Sequence, residues 1–212
     1  MRVETPEIYG DLQERLVTAQ FAPGARLKPA TLQDVYGCSA NTIRDVLLQL
    51  SKVGLVDFEI QRGFRARAAT AERRHDVTSF RILLEQEGAV LSMRRGGVGW
   101  EAALSAAHHK LRHIETQLAD SHDDPSDMVL WSEAEREFHD TLISACGSSL
   151  LRETYANVYL QFRQQMVTLT RDFGTSYFTA IINEHQAIVD AALERDEARC
   201  REAIFDHLKR NL

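Results

Sequence analysis

The sequence predicts a mainly α protein in two parts: an N-terminal winged helix-turn-helix with a small β-hairpin, then a C-terminal all-α antiparallel helical bundle. Three observations carry this. Residues 32–67, LQDVYGCSANTIRDVLLQLSKVGLVDFEIQRGFRAR, read as two helices about a tight turn, followed by a hairpin with a basic tip. From residue 77 onward apolar residues recur at helical spacing, and no convincing strand interrupts them. Charge is divided unevenly as well. Residues 1–68 hold nine Lys/Arg against eight Asp/Glu, whereas 69–212 hold sixteen against twenty-three, for a total of −6.

The first helix covers about 8–20, with Ile8, Leu12, Leu16 and Val17 on one face. Pro23-Gly24 breaks it. A short helix follows at about 30–36, and Gly37 ends it by taking the positive φ of a tight turn. Ser39 caps the next helix, about 40–53, whose buried stripe is Ile43, Val46, Leu47 and Leu50. After Gly54, LVDFEI alternates as a half-buried strand does, Gln61-Arg62-Gly63 turns, and FRARA returns. Residues 1–68 form the first domain, 69–76 the linker and 77–212 the second domain. Helices there span about 72–95, 99–121, 127–146, 148–172, 175–194 and 196–211, broken at Arg95-Gly96-Gly97, HDDPSD, Cys146-Gly147, Phe173-Gly174 and Arg195-Asp196.

No apolar run approaches the ~20 residues that span a bilayer, and the acidic, amphipathic N-terminus has no signal-peptide core. Cysteines 38, 146 and 200 form no CxxC pair and fit a reducing cytoplasm.

A nucleic-acid surface is plausible only in the first part. Arg62, Arg65 and Arg67 follow one another with no acid between them, as a phosphate-neutralising patch does. Ser39, Asn41, Thr42 and Arg44 lie at the start of the second helix of the pair, where base-edge contacts occur. The alternative for each is an ordinary solvated helix surface.

In the second part, Glu135 and His139 stand four apart on one helix and share a face. His185 and His207 border apolar stripes on the last two helices. Three imidazoles and a carboxylate suit Zn, Ni or Mn, with positions left open. The competing reading is hydrogen-bonded boundary histidines. His75, His108, His109, His113 and His122 read as solvated or linker-borne. Arg81 and Arg163 each sit in an apolar helical run, where a guanidinium needs a partner: a bound acid, or for Arg81 the carboxylate of Glu85 at i, i+4.

The segments APGARL, CSANTIRDVLLQLSKVGLV and RGF resemble the N-terminal domain of the GntR family of bacterial regulators. The family pattern falls on Pro23-Gly24-Ala25-Arg26-Leu27, Ser39, Arg44, Leu47, Leu50, Gly54-Leu55-Val56 and Gly63. The resemblance implies that Arg44 binds DNA and that Gly63 lets the wing approach the minor groove. Ala40 stands where an Arg is common and Gln33 where Ala is usual, so an operator does not transfer from the family.

Residues 77–212 resemble the FCD effector domain of the FadR subfamily. Arg81-Ile82-Leu83-Leu84-Glu85 matches its R-x-x-L-E, and Glu135-Arg136-Glu137-Phe138-His139 its D-x-x-x-H with Phe before the His. His185 and His207 match its two later histidines, and six helices place the chain with the shorter, VanR-like members. Glu135 replaces the usual Asp, one methylene longer, which leaves the three histidines as the safer ligands. The resemblance implies a metal-dependent pocket for a small organic acid, with Arg81 and Arg163 as effector-binding candidates.

The resulting expectation is a homodimeric, cytoplasmic DNA-binding regulator, a repressor or an activator. It would bind a palindromic double-stranded operator under the control of that acid and metal, with no membrane partner and no catalysis. Two alternatives share the same bundle: a metal-dependent hydrolase, against which stands the lack of an HExxH-type base, and a sensor for which the metal is the signal.

Overall fold

The computed structural model describes residues 4–120, 125–166 and 175–212. The chain divides into two compact units: residues 1–77 with 157–170, and residues 78–156 with 171–212.

The first unit is the winged helix-turn-helix. Helix α1 (Thr5–Val17) buries Ile8, Leu12 and Leu16 at i, i+4, i+8. Glu7 reaches back to accept from the Glu4 amide at 3.1 Å, satisfying one orphan donor of the first turn. Strand β1 (Arg26–Leu27) is two residues long, too short to leave any periodicity in the sequence, which is why it was not expected. Helix α2 (Pro29–Tyr36) ends at Gly37, whose φ of 62° is left-handed. Helix α3 (Ala40–Lys52) starts at Ser39, whose side chain accepts from the Thr42 amide at 3.1 Å. It buries Ile43, Val46, Leu47 and Leu50. Strands β2 (Val56–Glu59) and β3 (Gly63–Ala66) pair antiparallel, with β3 between β1 and β2. Phe58 lies opposite Phe64 with ring centroids 4.7 Å apart. Leu27, Leu55, Val56, Phe64 and Ala66 close one apolar core with the three helices.

Two later helices reach into this unit by sequence. Helix α4 (Ala71–Arg95) matches the helix expected at about 72–95, and its first turns lie within 69–76. Helix α7 (Ser149–Met166) contributes its last turns. There Gln164 donates to Leu55 O at 3.0 Å and Gln165 to Ala68 O at 3.2 Å, while Gln165 Oε1 accepts from the Thr70 amide at 3.2 Å. Gly54, at φ 80°, is packed so closely that a Cβ there would lie 2.7 Å from Gln161.

The second unit is helical among its described residues. It holds the rest of α4 and α7, with α5 (Val98–Asp120), α6 (Pro125–Leu142), α8 (Thr175–Leu193) and α9 (Glu197–Leu208). Helix α5 packs on α6 and α8, and α8 on α9. Gly88 marks the close approach of α4, since a Cβ there would stand 2.8 Å from Ile143. The break at Arg195-Asp196 is real: Arg195 has φ 58°, and Asp196 caps α9 by accepting from the Arg199 amide at 3.0 Å. Helix α6 starts at Pro125, earlier than expected, because proline suits a first helical position. Residues 167–172, expected as helix, lie outside the described residues, as does His122.

Candidate functional site

Two places hold the residues singled out above. The first is the outer face of α3 with the wing. Asn41 and Arg44 are exposed near the start of α3, with Asp45 beside them. Ser39 is spent on its cap, and its Oγ lies 2.9 Å from Thr42 Oγ1. At the wing, Gly63 has φ 79°, and Ile60 at the apex is 83% exposed. The wing arginines have partners within the unit. Arg62 pairs with Glu59 at 2.9 Å, Arg65 donates to Gly24 O at 3.0 Å, and Arg67 pairs with Asp57 at 2.8 Å. The sequence showed the arginines as a run of cations; the hairpin supplies an acid to Arg62 and to Arg67, whereas Arg65 donates to a carbonyl.

The second place is the core of the helical unit. Each helix there gives core positions to polar chemistry. On α6, Trp131, Phe138 and Leu142 form the buried stripe that also carries Glu135 and His139. On α8, His185 lies between Ile181 and Ile188; on α9, His207 follows Ile204. One ring nitrogen from each of His139, His185 and His207 lies within 4.8 Å of the others. Ring centroids are 5.5 Å apart for 139–185, 5.3 Å for 139–207 and 4.4 Å for 185–207.

Carboxylates hold these rings. Glu85 on α4 contacts His139 Nδ1. Glu115 Oε1 on α5 lies 2.9 Å from His185 Nδ1 and also accepts from Trp131 Nε1 at 3.3 Å. Glu184 Oε2 on α8 lies 3.0 Å from His207 Nδ1. Glu135 Oε1 is 3.5 Å from His139 Nε2 and 3.3 Å from Arg81 Nη2, while Arg81 Nε donates to Glu85 Oε2 at 3.2 Å. Tyr155 on α7 also donates to Glu85 Oε2, at 3.1 Å.

Burial holds the His207 imidazole well below its usual pKa, helped by the nearby His185 and His139. Burial alone would raise Glu85; the charges of His139 and Arg81, with hydrogen bonds from His139 and Tyr155, outweigh it and lower the acid. His108 corrects the sequence reading. It is buried, because it falls on the α5 stripe with Leu104, Leu111 and Glu115, and burial depresses its pKa. His75, His109 and His113 are exposed, as expected.

The helical core thus gathers His139, His185 and His207, with Glu135 and Arg81 beside His139. Arg163 is elsewhere: it lies on the part of α7 that belongs to the winged unit. Sequence reasoning missed Glu115 and Glu184. Glu115 had a signal, an acid inside an apolar helical stripe, which is the same signal that singled out Arg81.

Comparison with known proteins agrees with both units. The model of bacterial regulatory proteins of the gntR family matches residues 5–65, and that of the FCD domain matches 76–210. The chain belongs to the GntR family, with an FCD domain. It is 30% identical over 203 residues to the uncharacterized HTH-type transcriptional regulator BphR of Paraburkholderia xenovorans (strain LB400), covering 95% of this chain and 80% of that protein. It is 26% identical over 212 residues to the HTH-type transcriptional repressor GlaR of Escherichia coli (strain K12), covering 98% and 94%. In fold it resembles E. coli McbR/YncC, with a TM-score of 0.79 at 18% identity over 100% of this chain and 96% of that one. It likewise resembles a putative GntR regulator from Rhodococcus sp. RHA1, with a TM-score of 0.73 at 22% identity over 97% and 94%. This GntR-family chain is a transcriptional regulator, and its relatives are regulators rather than enzymes, so the hydrolase alternative is not carried further. No described helix is long and apolar enough to cross a membrane.

Proposed function

We propose that the chain is an operator-binding repressor whose affinity for DNA follows the state of the histidine centre. A homodimer would set two copies of α3 and the wing on the half-sites of a palindromic duplex. Asn41 and Arg44 read base edges, Ser39 and Thr42 hold the start of α3 at a phosphate, and Arg62, Gly63 and Arg65 carry the wing to the adjacent groove. Repression is the sign of the E. coli relative. DNA binding and three free cysteines suit the cytoplasm.

The observation that carries the reading is three buried imidazoles with one nitrogen each within 4.8 Å. The donor set fits a divalent ion such as Zn, Ni or Mn. The buried Nε2 atoms of His139 and His185 have no hydrogen-bond partner, and imidazole is a ligand common to these metals. Charge agrees: Glu85 and Glu135 both pair with Arg81, and Glu115 is a further buried carboxylate, beside His185, so among the described residues the buried carboxylates at the three imidazoles outnumber the buried guanidinium, an imbalance that a cation offsets. Glu135 would be the further ligand, and Arg81, which now pairs with it, would be the nearest cation for the small acid. When bound, the ion supplies a Lewis-acidic position for that acid's carboxylate.

The test is a mobility-shift assay on the promoter fragment beside the chain's own gene. Chelated protein is compared with protein reloaded with Zn, Ni or Mn, each with and without a panel of small carboxylic acids. A change of roughly 5- to 150-fold in affinity is expected, lost in His139→Ala and His185→Ala while basal DNA binding remains. Equal affinity in every state would refute the reading. A second reading, metal as the signal, is favoured by the engagement of Arg81 with Glu85 and Glu135. Reloading alone would then move the affinity, and no acid would.

A further inference from the structure

The three histidines share one arrangement. Each ring sits with Nδ1 against a carboxylate on a different element or turn: His139 with Glu85 of α4, His185 with Glu115 of α5, and His207 with Glu184 of α8. The glutamates come from three helices and do not follow from any one spacing in the chain. A carboxylate at Nδ1 holds the proton there and leaves Nε2 as a lone-pair donor. Among the described residues, the buried Nε2 atoms of His139 and His185 have no hydrogen-bond partner; Glu85 and Glu184 are hydrogen-bonded to their rings, whereas Glu115 approaches His185 Nδ1 at 2.9 Å off the line of a hydrogen bond. A buried polar atom without a partner costs stability, which a ligand at that atom would offset. The carboxylates are themselves held. Trp131 Nε1 donates to Glu115 at 3.3 Å, Arg210 contacts Glu184, and Tyr155 donates to Glu85 at 3.1 Å.

We infer that Glu85, Glu115 and Glu184 are positioning residues that fix all three imidazoles in the Nδ1–H tautomer, so that a divalent ion is taken by three Nε2 atoms in an orientation set before it arrives. This rests on the metal reading above. None of the three glutamates need touch the ion. Their effect is on ligand orientation and basicity; Glu184 makes it through a hydrogen-bonded contact to His207 Nδ1 at 3.0 Å, and Glu115 through a fully buried carboxylate 2.9 Å from His185 Nδ1.

The experiment uses the full-length chain. Zinc affinity is measured by competition with a chromophoric chelator for the wild type, Glu115→Gln, Glu184→Gln and His185→Ala. Cobalt(II) then serves as a spectroscopic probe, read by proton NMR for exchangeable, hyperfine-shifted imidazole N–H signals. Expected are a loss of roughly 10- to 100-fold in zinc affinity for each Gln variant and three such N–H signals in the wild type. Glu115→Gln should move the signal of one ring and leave the other two in place. A merely structural Glu115 would change the melting temperature without moving a single N–H signal. If the wild type binds zinc and His185→Ala loses it while both Gln variants bind like the wild type, the positioning role is overturned and the metal centre stands. If folded wild type takes up neither zinc nor cobalt, the metal reading fails and this inference with it. Should Glu115→Gln fold poorly, Glu184→Gln, at a half-buried position, carries the same comparison for His207.

Discussion

The two units are stabilised by different means. The winged unit closes on an apolar core in which Ile8, Leu12, Ile43, Leu47 and Leu50 are fully buried, and its charges lie outside that core. The helical unit places Arg81, Glu85, Glu115, Glu135, His139, His185 and His207 in its interior. Burying such groups costs stability unless each is paired. One unit therefore stores its chemistry on the surface, where a duplex can reach it, and the other in the core, where only a small ligand can. The first should tolerate surface change and fail on packing; the second should fail on a single unbalanced charge.

The sharpest way to break this contrast is Arg81→Met. It conserves bulk but leaves Glu85 and Glu135 buried without their guanidinium. A loss of about 3–5 kcal/mol is expected, read by denaturant unfolding with tryptophan fluorescence. Trp100 and Trp131 are the chain's two tryptophans, and both lie in the helical unit. Added zinc should restore part of the loss, because it supplies the missing positive charge. The matching change in the winged unit is Leu47→Ala, expected to cost about 2–4 kcal/mol through a cavity. Zinc should not restore that. Equal rescue of both variants would erase the distinction between the units.

The same contrast explains what was legible in the sequence. Helices α1 and α3 and the hairpin follow from local patterns: a Leu stripe, Ser39 as cap, and a glycine at a positive-φ position. The histidines were legible because each interrupts or borders an apolar stripe. Their carboxylate partners were not, since Glu115 and His185 meet only when α5 packs on α8, 70 residues along the chain. His108 was grouped with His109 as solvated; helical phase buries the first and exposes the second. The run of wing arginines did not reveal the partners of Arg62 and Arg67, because Glu59 and Asp57 lie across the turn or on the opposite strand.

pH should separate the units next. His207 and His108 have folded pKa values below the ordinary 6.5, so the unfolded chain takes up protons first as pH falls. Stability of the helical unit is then lost as pH drops below about 6.5. In the winged unit, burial and the hydrogen bond to Asp11 push Tyr36 from 10.0 up to about 12. The folded state keeps that proton while the unfolded state releases it, so stability falls as pH rises from 10 to 12. Tryptophan-monitored unfolding at pH 7 and 5 should show the acid loss. Tyr36→Phe should flatten the alkaline loss recorded by far-ultraviolet circular dichroism. An acid loss no smaller in a His207→Gln, His108→Gln double variant would refute the assignment to these rings.

A smaller effect belongs to Ser39. Its hydroxyl accepts from the Thr42 amide at 3.1 Å, so Ser39→Ala should cost about 1 kcal/mol of the winged unit's stability. Ser39→Gly should cost only a few tenths. A loss of operator affinity in both variants well beyond their loss of stability would assign the hydroxyl a phosphate contact in addition to its cap.

The least effect is expected at Glu59, and it tests whether the wing's charges are restrained in the free protein. Glu59 holds Arg62 at 2.9 Å, with both side chains largely exposed. An exposed pair of this kind contributes little to stability, so Glu59→Gln should leave the unfolding midpoint unchanged. It also removes a negative charge beside the apex proposed to approach the duplex, and would free Arg62 for a phosphate. Affinity for nonspecific DNA should then rise a few-fold at low salt. The slope of log affinity against log salt should steepen by about 0.9, the value for one further phosphate contact. Adding Arg62→Gln to Glu59→Gln should return the slope to its wild-type value. If Glu59→Gln binds with an unchanged slope, Arg62 does not reach phosphate, and the wing acts through its shape at Ile60 and Gly63 rather than through its charge.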